Sequence, residues 1–265
     1  AMDVGDLKGS FESKMKKVYA KLITEKEFFE SEFLDYVYKG AFPEMIHEKD
    51  DKIIRKYVSE IVVSKIIFRD IPNIFNIRRK KLLSEIMRYV SSNSSNLFEI
   101  KNLCNIFNAD YETVSNYLFY LQSSFLIKVS ENYSGSMAKR LRRNKKIYVV
   151  HPAIAFGILG YSREMLIDRI IGPYVETVFA GELFWRDKNK NEVDVVIKDK
   201  KLIPIEVKFK NIINSADIKG LIRFMNEFNL KLGYVITKSK FGEEKVGNKK
   251  LIYVPAWLFL LIRKE

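Results

Sequence analysis

The chain reads as an α/β protein, α+β overall, and three observations predict it. Helical spacing dominates residues 1–92, and two short helices with a pair of strands occupy 93–160. Strand and helix signals then alternate through 161–265, the pattern of a small mixed-sheet α/β domain. With 265 residues the chain suffices for one large domain or two smaller ones, and a hydrophobic fraction of 47% excludes wholesale disorder.

In the first stretch, apolar pairs recur at three- and four-residue spacing: Ile53-Ile54, Tyr57-Val58, Ile61-Val62 and Ile66-Ile67. Gly40-Ala41-Phe42-Pro43 and Asp70-Ile71-Pro72 are expected to interrupt the helices. The polar run Ser91–Asn96 reads as a loop or linker.

Next, Ile100–Phe107 is amphipathic, and Asn108–Tyr111 reads as a turn with Asp110 as the N-cap of a second helix, Tyr111–Ser123. That helix would turn Val114, Tyr117, Leu118 and Leu121 inward. Strands at Phe125–Val129 and Lys146–Val150 flank a basic stretch. Two helices joined by a short turn, then a two-stranded wing, describe a winged helix-turn-helix. Its second helix would present Glu112, Thr113, Ser115, Asn116 and Tyr120, with Thr113, Ser115 and Asn116 the expected nucleic-acid contacts.

The last stretch predicts a helix around 161–180, strands at 182–185, 193–197 and 202–207, a helix at 216–229, and strands at 233–237 and 251–254. No internal repeat is visible.

Chemistry concentrates in the strand pair. Glu206 and Lys208 stand at i and i+2, so they share one strand face. A turn near 198–202 would bring Asp194 opposite Glu206. Asp194 interrupts the apolar run Val193–Ile197, a costly place for a carboxylate without a role. Two carboxylates and an ammonium at one point can hold a divalent cation and orient water against a phosphodiester. A lone E-x-K on a strand is a weak motif, and its ordinary reading is a solvated strand.

Glu176, Glu192-Val-Asp-Val-Val-Ile197 and Pro204-Ile-Glu-Val-Lys208 together resemble the PD-(D/E)xK nuclease fold of restriction endonucleases and archaeal Holliday junction resolvases, over about residues 165–255. The resemblance implies a restriction-endonuclease-like domain with Glu176, Asp194, Glu206 and Lys208 as catalytic residues. It implies Mg²⁺ or Mn²⁺ on Asp194, Glu206 and Glu176, with Lys208 at the attacking water. Glu182 and Glu192 are the alternatives should the helix be too short to aim Glu176 at Asp194. It also implies a homodimer.

A longer series adds to this: Gly40-Ala-Phe-Pro-Glu44, Ile67-Phe-Arg-Asp-Ile-Pro72, Val114–Leu121 and Tyr148-Val-Val-His-Pro152, ahead of the nuclease-like motifs. In that order they are similar to the C-terminal part of a prokaryotic, especially archaeal, AAA-type ATPase family. No P-loop occurs, so ATP belongs only to an absent N-terminal ATPase domain, the expected partner in the full-length protein. The first stretch would then be a lid-proximal remnant. Ala1-Met2 reads as a cloning remnant, and the chain as a fragment of something longer.

A net charge of +13 and a pI near 9.5 make a polyanion the first partner to consider, which the nuclease resemblance narrows to DNA, although a lysine-rich solvated surface has the same composition. Lys139, Arg140, Arg142, Arg143, Lys145 and Lys146 form a run of six cations without an acid, placed to track phosphates at the wing. Most of the 19 Phe and 14 Tyr, such as Phe28-Phe29 and Phe224, stand at amphipathic-helix spacings and are better read as core than as a stacking platform, and Trp257 is read as core too. Cys104 is the single cysteine, which excludes disulfides and Cys-based zinc and fits a reducing cytoplasm. Only His47 and His151 offer imidazole. The longest apolar run, Val254–Ile262, is too short to span a bilayer, so no membrane is expected.

Three functions remain open: metal-dependent endonuclease, silent nuclease-fold module that binds DNA or protein for the ATPase, and protein-binding adaptor.

Overall fold

A computed structural model describes residues 11–40, 42–166 and 168–262, with the side chains of Leu141, Arg142, Asp168 and Arg169 outside the description. Ala1 and Met2 also lie outside the described residues. Helix α1 (Phe11–Leu22) buries Met15 and Val18, and α2 (Lys26–Lys39) buries Phe33, Val37 and Tyr38. The latter ends at Gly40, whose φ of +79° an L side chain rarely adopts.

Helix α3 (Asp51–Lys56) starts on Asp50, whose carboxylate accepts from the Lys52 N–H at 2.7 Å. The helix then widens into π-type turns over Tyr57–Ser64 and Ile66–Asp70 and continues as α4 (Ile71–Ile74). Its buried residues Ile54, Val58, Val63, Ile67 and Ile71 step by four and five, a stripe that the wider helix keeps on one side. The break expected at Asp70–Pro72 is not observed. Pro72 falls where the π-type turns give way to α4 and does not end the helix, and the chain leaves it at Phe75.

Helix α5 (Lys80–Ser92) buries Leu82, Leu83, Ile86, Met87 and Val90. The polar run at its end turns over 93–95, as the loop reading expects, but it is no solvated linker, because Ser91, Ser94 and Ser95 are buried while Ser92 and Asn96 are exposed. Ser94 Oγ shares a hydrogen bond with Thr177 Oγ1 at 2.9 Å and accepts from the Val149 N–H at 3.2 Å. Those partners let its hydroxyl leave water.

Strand β1 (Asn96–Phe98), α6 (Ile100–Phe107), α7 (Tyr111–Ser123), β2 (Ile127–Asn132), the short α8 (Met137–Arg142) and β3 (Lys145–Val149) follow. β3 pairs antiparallel with both β1 and β2. Asp110 caps α7 as expected, its carboxylate accepting from the Thr113 N–H at 2.8 Å.

Helix α9 (Pro152–Leu159) leads to α10 (Asp168–Phe179), β4 (Leu183–Arg186), β5 (Glu192–Val193), β6 (Val195–Lys198) and β7 (Leu202–Lys208). Then come α11 (Lys219–Glu227), β8 (Leu232–Thr237), β9 (Gly242–Val246), β10 (Lys249–Pro255) and α12 (Ala256–Ile262). One sheet has the order β1-β3-β2-β4-β5, the other β6-β7-β8-β10-β9. In the second, β7, β8 and β10 are parallel neighbours, with antiparallel strands β6 and β9 at its edges. Because β2 pairs parallel with β4, the first sheet runs from the 93–160 stretch into the C-terminal stretch.

The three stretches share one continuous core of buried apolar residues, from Met15 to Ile262. α1 and α2 fold back onto the C-terminal end, where Phe29 stacks on Trp257 at 5.1 Å and Tyr19 on Phe241 at 3.9 Å. Phe224 and Trp257 are core as expected, whereas Phe28 is 57% exposed. Among the described residues no helix is long and apolar enough to cross a membrane.

Candidate active site

The apolar run Val193–Ile197 is not one strand. β5 belongs to the first sheet and β6 to the second, and Asp194 is the residue at which the chain crosses between them. The β6–β7 register pairs Val195 with Ile205, so Asp194 lies one step further, level with Glu206. Free of strand pairing, its carboxylate accepts from the Val207 N–H at 2.8 Å. Lys208 projects from the same face as Glu206, donating to Glu206 Oε1 at 2.5 Å with Asp194 Oδ2 at 3.7 Å. Asp194 and Glu206 are both buried, and Glu206 Oε2 has no hydrogen-bond partner among the described residues. Burial pushes the Glu206 carboxyl well above its ordinary range, and the Asp194 charge adds to it. Lys208 stays firmly protonated: burial alone would lower it, but Asp194 and Glu206 outweigh that.

Glu176, on α10, faces the same cluster through another residue. Its Oε1 accepts from Lys146 Nζ at 2.9 Å and from the Tyr148 hydroxyl at 2.8 Å. Lys146 also pairs with Glu192 Oε1 and lies 3.7 Å from Asp194 Oδ1. Arg186 holds the other Glu192 oxygen at 2.5 Å. Burial, then the Asp194 charge, pushes Glu176 up to about 7 despite Lys146. Of the two alternatives for the third carboxylate, Glu192 joins the cluster while Glu182 is exposed. A cleft of about 390 Å³, lined by Glu176, Val207, Lys208 and Lys210, gives access. A larger apolar cleft of about 710 Å³, lined by Phe11, Ile203, Ile205 and Tyr234, holds none of these clustered charges.

A hard divalent cation takes carboxylate oxygens. Asp194 and Glu206 fit that need, because Glu206 Oε2 is a buried acceptor without a donor. Glu176 does not complete a trio as placed: among the described residues no three His, Cys, Asp or Glu side chains form a group that could hold a metal. Its carboxylate is occupied by Lys146 and Tyr148.

The basic run departs from a free phosphate-tracking loop. Lys146 is 3% exposed, drawn inward by three acids, so it does not face a phosphate there. Lys145 pairs with Glu131 at 3.3 Å, and Arg143 donates to Asn132 Oδ1 and the Tyr133 carbonyl, both at 3.3 Å. Lys139 is exposed and Arg140 is half-buried beside Met137, while the Arg142 side chain lies outside the described residues. On α7, Asn116 is exposed and Thr113 and Ser115 are half-buried. Thr113 Oγ1 is committed to Asp110 at 2.7 Å. Tyr120 stacks on Phe75 at 4.0 Å, leaving Tyr111 and Phe119 as the exposed aromatics of that helix. His151 caps α9 through Nδ1 and is pushed down to about 4 by burial, so it serves no imidazole cluster.

Two family models match the chain: Domain of unknown function (DUF8612) over residues 30–164 and Domain of unknown function (DUF4143) over residues 173–258. The second is often found in AAA-ATPase-associated proteins. An uncharacterized protein of Methanocaldococcus jannaschii is 26% identical over 86% of this chain and 55% of its own length. An uncharacterized protein of Haemophilus influenzae is 20% identical over 85% of this chain and 57% of its own. The chain therefore spans about half the length of these curated relatives. No solved structure matches it significantly.

Proposed function

This chain belongs to the family Domain of unknown function (DUF8612), and from its charge cluster we propose that it is a DNA-binding, nuclease-like module of a longer AAA-type ATPase. Its reaction would be the hydrolysis of DNA phosphodiesters with a divalent cation. One observation carries this reading: Asp194, Glu206 and Lys208 meet beside a cleft, and Glu206 keeps an unpartnered oxygen. The association of the 173–258 family with AAA ATPases supports the setting.

Asp194 and Glu206 would hold Mg²⁺ or Mn²⁺, which supplies charge neutralisation and a more acidic bound water. The backbone N–H of Val207 fixes the Asp194 carboxylate, so that ligand is oriented before any substrate arrives. Lys208 reaches the cleft with an ammonium that can orient the attacking water or face the charge developing on the phosphate. Glu176, pushed up to about 7, can accept or release a proton near neutral pH. Lys139, the exposed cation of the α8 region, is the best-placed phosphate contact of the basic run.

Cleavage of duplex and branched DNA by the pure protein with Mg²⁺ or Mn²⁺ tests the proposal. Asp194→Ala and Lys208→Ala should each lower the rate at least about a hundredfold. Rates equal to wild type in both variants would remove the assignment. A second reading, a catalytically silent binding module, is favoured by the exposed aromatics Tyr111, Phe119 and Phe125 around α7, which suit a protein partner.

A further inference from the structure

We infer that Lys146 is a resident counter-ion of the carboxylate site and competes with a divalent cation for it. The inference rests on the metal-dependent reading above but concerns a residue outside its E-x-K machinery. Lys146 comes from β3, within the winged helix, while the acids it meets come from α10 and the β5–β6 crossing. Its ammonium is 2.9 Å from Glu176, 3.7 Å from Asp194, and paired with Glu192. A lysine side chain 4% exposed and ringed by three carboxylates takes the place that a bound cation takes in an acidic pocket.

Charge counting makes the competition specific. With every carboxyl deprotonated, as metal ligation requires, four carboxylates (Glu176, Glu192, Asp194, Glu206) face three cations (Lys146, Lys208, Arg186), an excess of one negative charge. Without Lys146 the excess becomes two, the charge of one Mg²⁺ or Mn²⁺. The same change removes the ammonium from Glu176, whose Oε1 keeps the neutral Tyr148 hydroxyl, and from Asp194 Oδ1, so a third carboxylate loses its cation beside the pair that already offers Glu206 Oε2. An ammonium held this close also repels a dication placed on Asp194, because few waters intervene to screen it.

Lys146→Met removes the charge and keeps most of the stem, whereas Lys146→Arg keeps the charge. The full chain and both variants are titrated with Mn²⁺ alone, followed by electron paramagnetic resonance and by the metal-induced shift in thermal unfolding. Lys146→Met should bind Mn²⁺ at least about tenfold more tightly than wild type, with the larger thermal shift. Lys146→Arg should track wild type. Mn²⁺ affinity in Lys146→Met equal to or weaker than wild type overturns the inference. Should Lys146→Met not fold alone, refolding in millimolar Mn²⁺ should recover it; failure there, with Lys146→Arg folded, is equally fatal. Cleavage is read separately. If no variant cuts DNA yet Lys146→Met gains metal, the nuclease reading falls and the competition stands; cleavage without that gain does the reverse.

Discussion

Glu176 is the residue whose titration the cluster should report most directly. Its carboxyl is raised from an ordinary 4.5 to about 7, so between those values the folded state holds a proton that the unfolded state has released. Its contribution to stability is therefore full below about pH 4.5 and is lost as pH rises through about 7. Glu176→Gln cannot titrate and lacks this loss. The stability of Glu176→Gln relative to wild type should accordingly improve from pH 5 to pH 8, by up to about 3 kcal/mol. Urea unfolding of both proteins across that range measures it, and parallel curves would contradict the raised carboxyl. His151, buried neutral and pushed down to about 4, opposes the trend within each protein, which is why the difference between the two is the informative quantity.

Among the elements, the crossing from β5 to β6 carries the most consequence, and α11 holds it in place. Gly220 sits so close to β5 that a Cβ there would lie 2.0 Å from the Glu192 carbonyl oxygen and 2.8 Å from its nitrogen. Backbone cannot yield as a flexible side chain does. Gly220→Ala should cost about 2–3 kcal/mol or more and pull Glu192 away from Lys146 and Arg186. Chemical denaturation would show the loss, and near-wild-type stability would mean that α11 can slide. The strand pair itself was readable from sequence, because period-two alternation and the turn at 198–202 fix its register. Helix caps were readable too, as at Asp110. The polar run Ser91–Asn96 misled because hydroxyls that find internal donors and acceptors look, as a string, like solvated linker. β9 escaped notice for a similar reason: Gly242–Val246 is mostly charged, as an edge strand facing water can be.

Over the whole molecule, α1 and α2 close onto the C-terminal end, and one core passes through all three stretches. Trp257 lies in that core, under Phe29, while Trp185 packs with Phe224 in the second cluster. The two clusters share the strands β7, β8 and β10, so neither face of that sheet should unfold alone. Trp185→Phe and Trp257→Phe leave one fluorescent reporter each. Both variants should show single denaturation transitions, each coinciding with its own loss of far-ultraviolet circular dichroism. Two separated steps in either would reveal independent units.

Local patterning told which segments are helix or strand, that Glu206 and Lys208 share a face, and that Asp194 stands level with them. Those properties depend on residue periodicity and short-range pairing, which a string of letters records. Lys146 could not be placed in the same way. In sequence it is the last member of a basic run, which reads as an exposed surface, either tracking phosphates or simply solvated. It points inward because β2 pairs with β4, joining the 93–160 stretch to the C-terminal strands and bringing β3 beside α10 and β5. Three carboxylates from distant segments then stabilise a charge that burial alone would expel, and that balance exists only once the sheets have assembled.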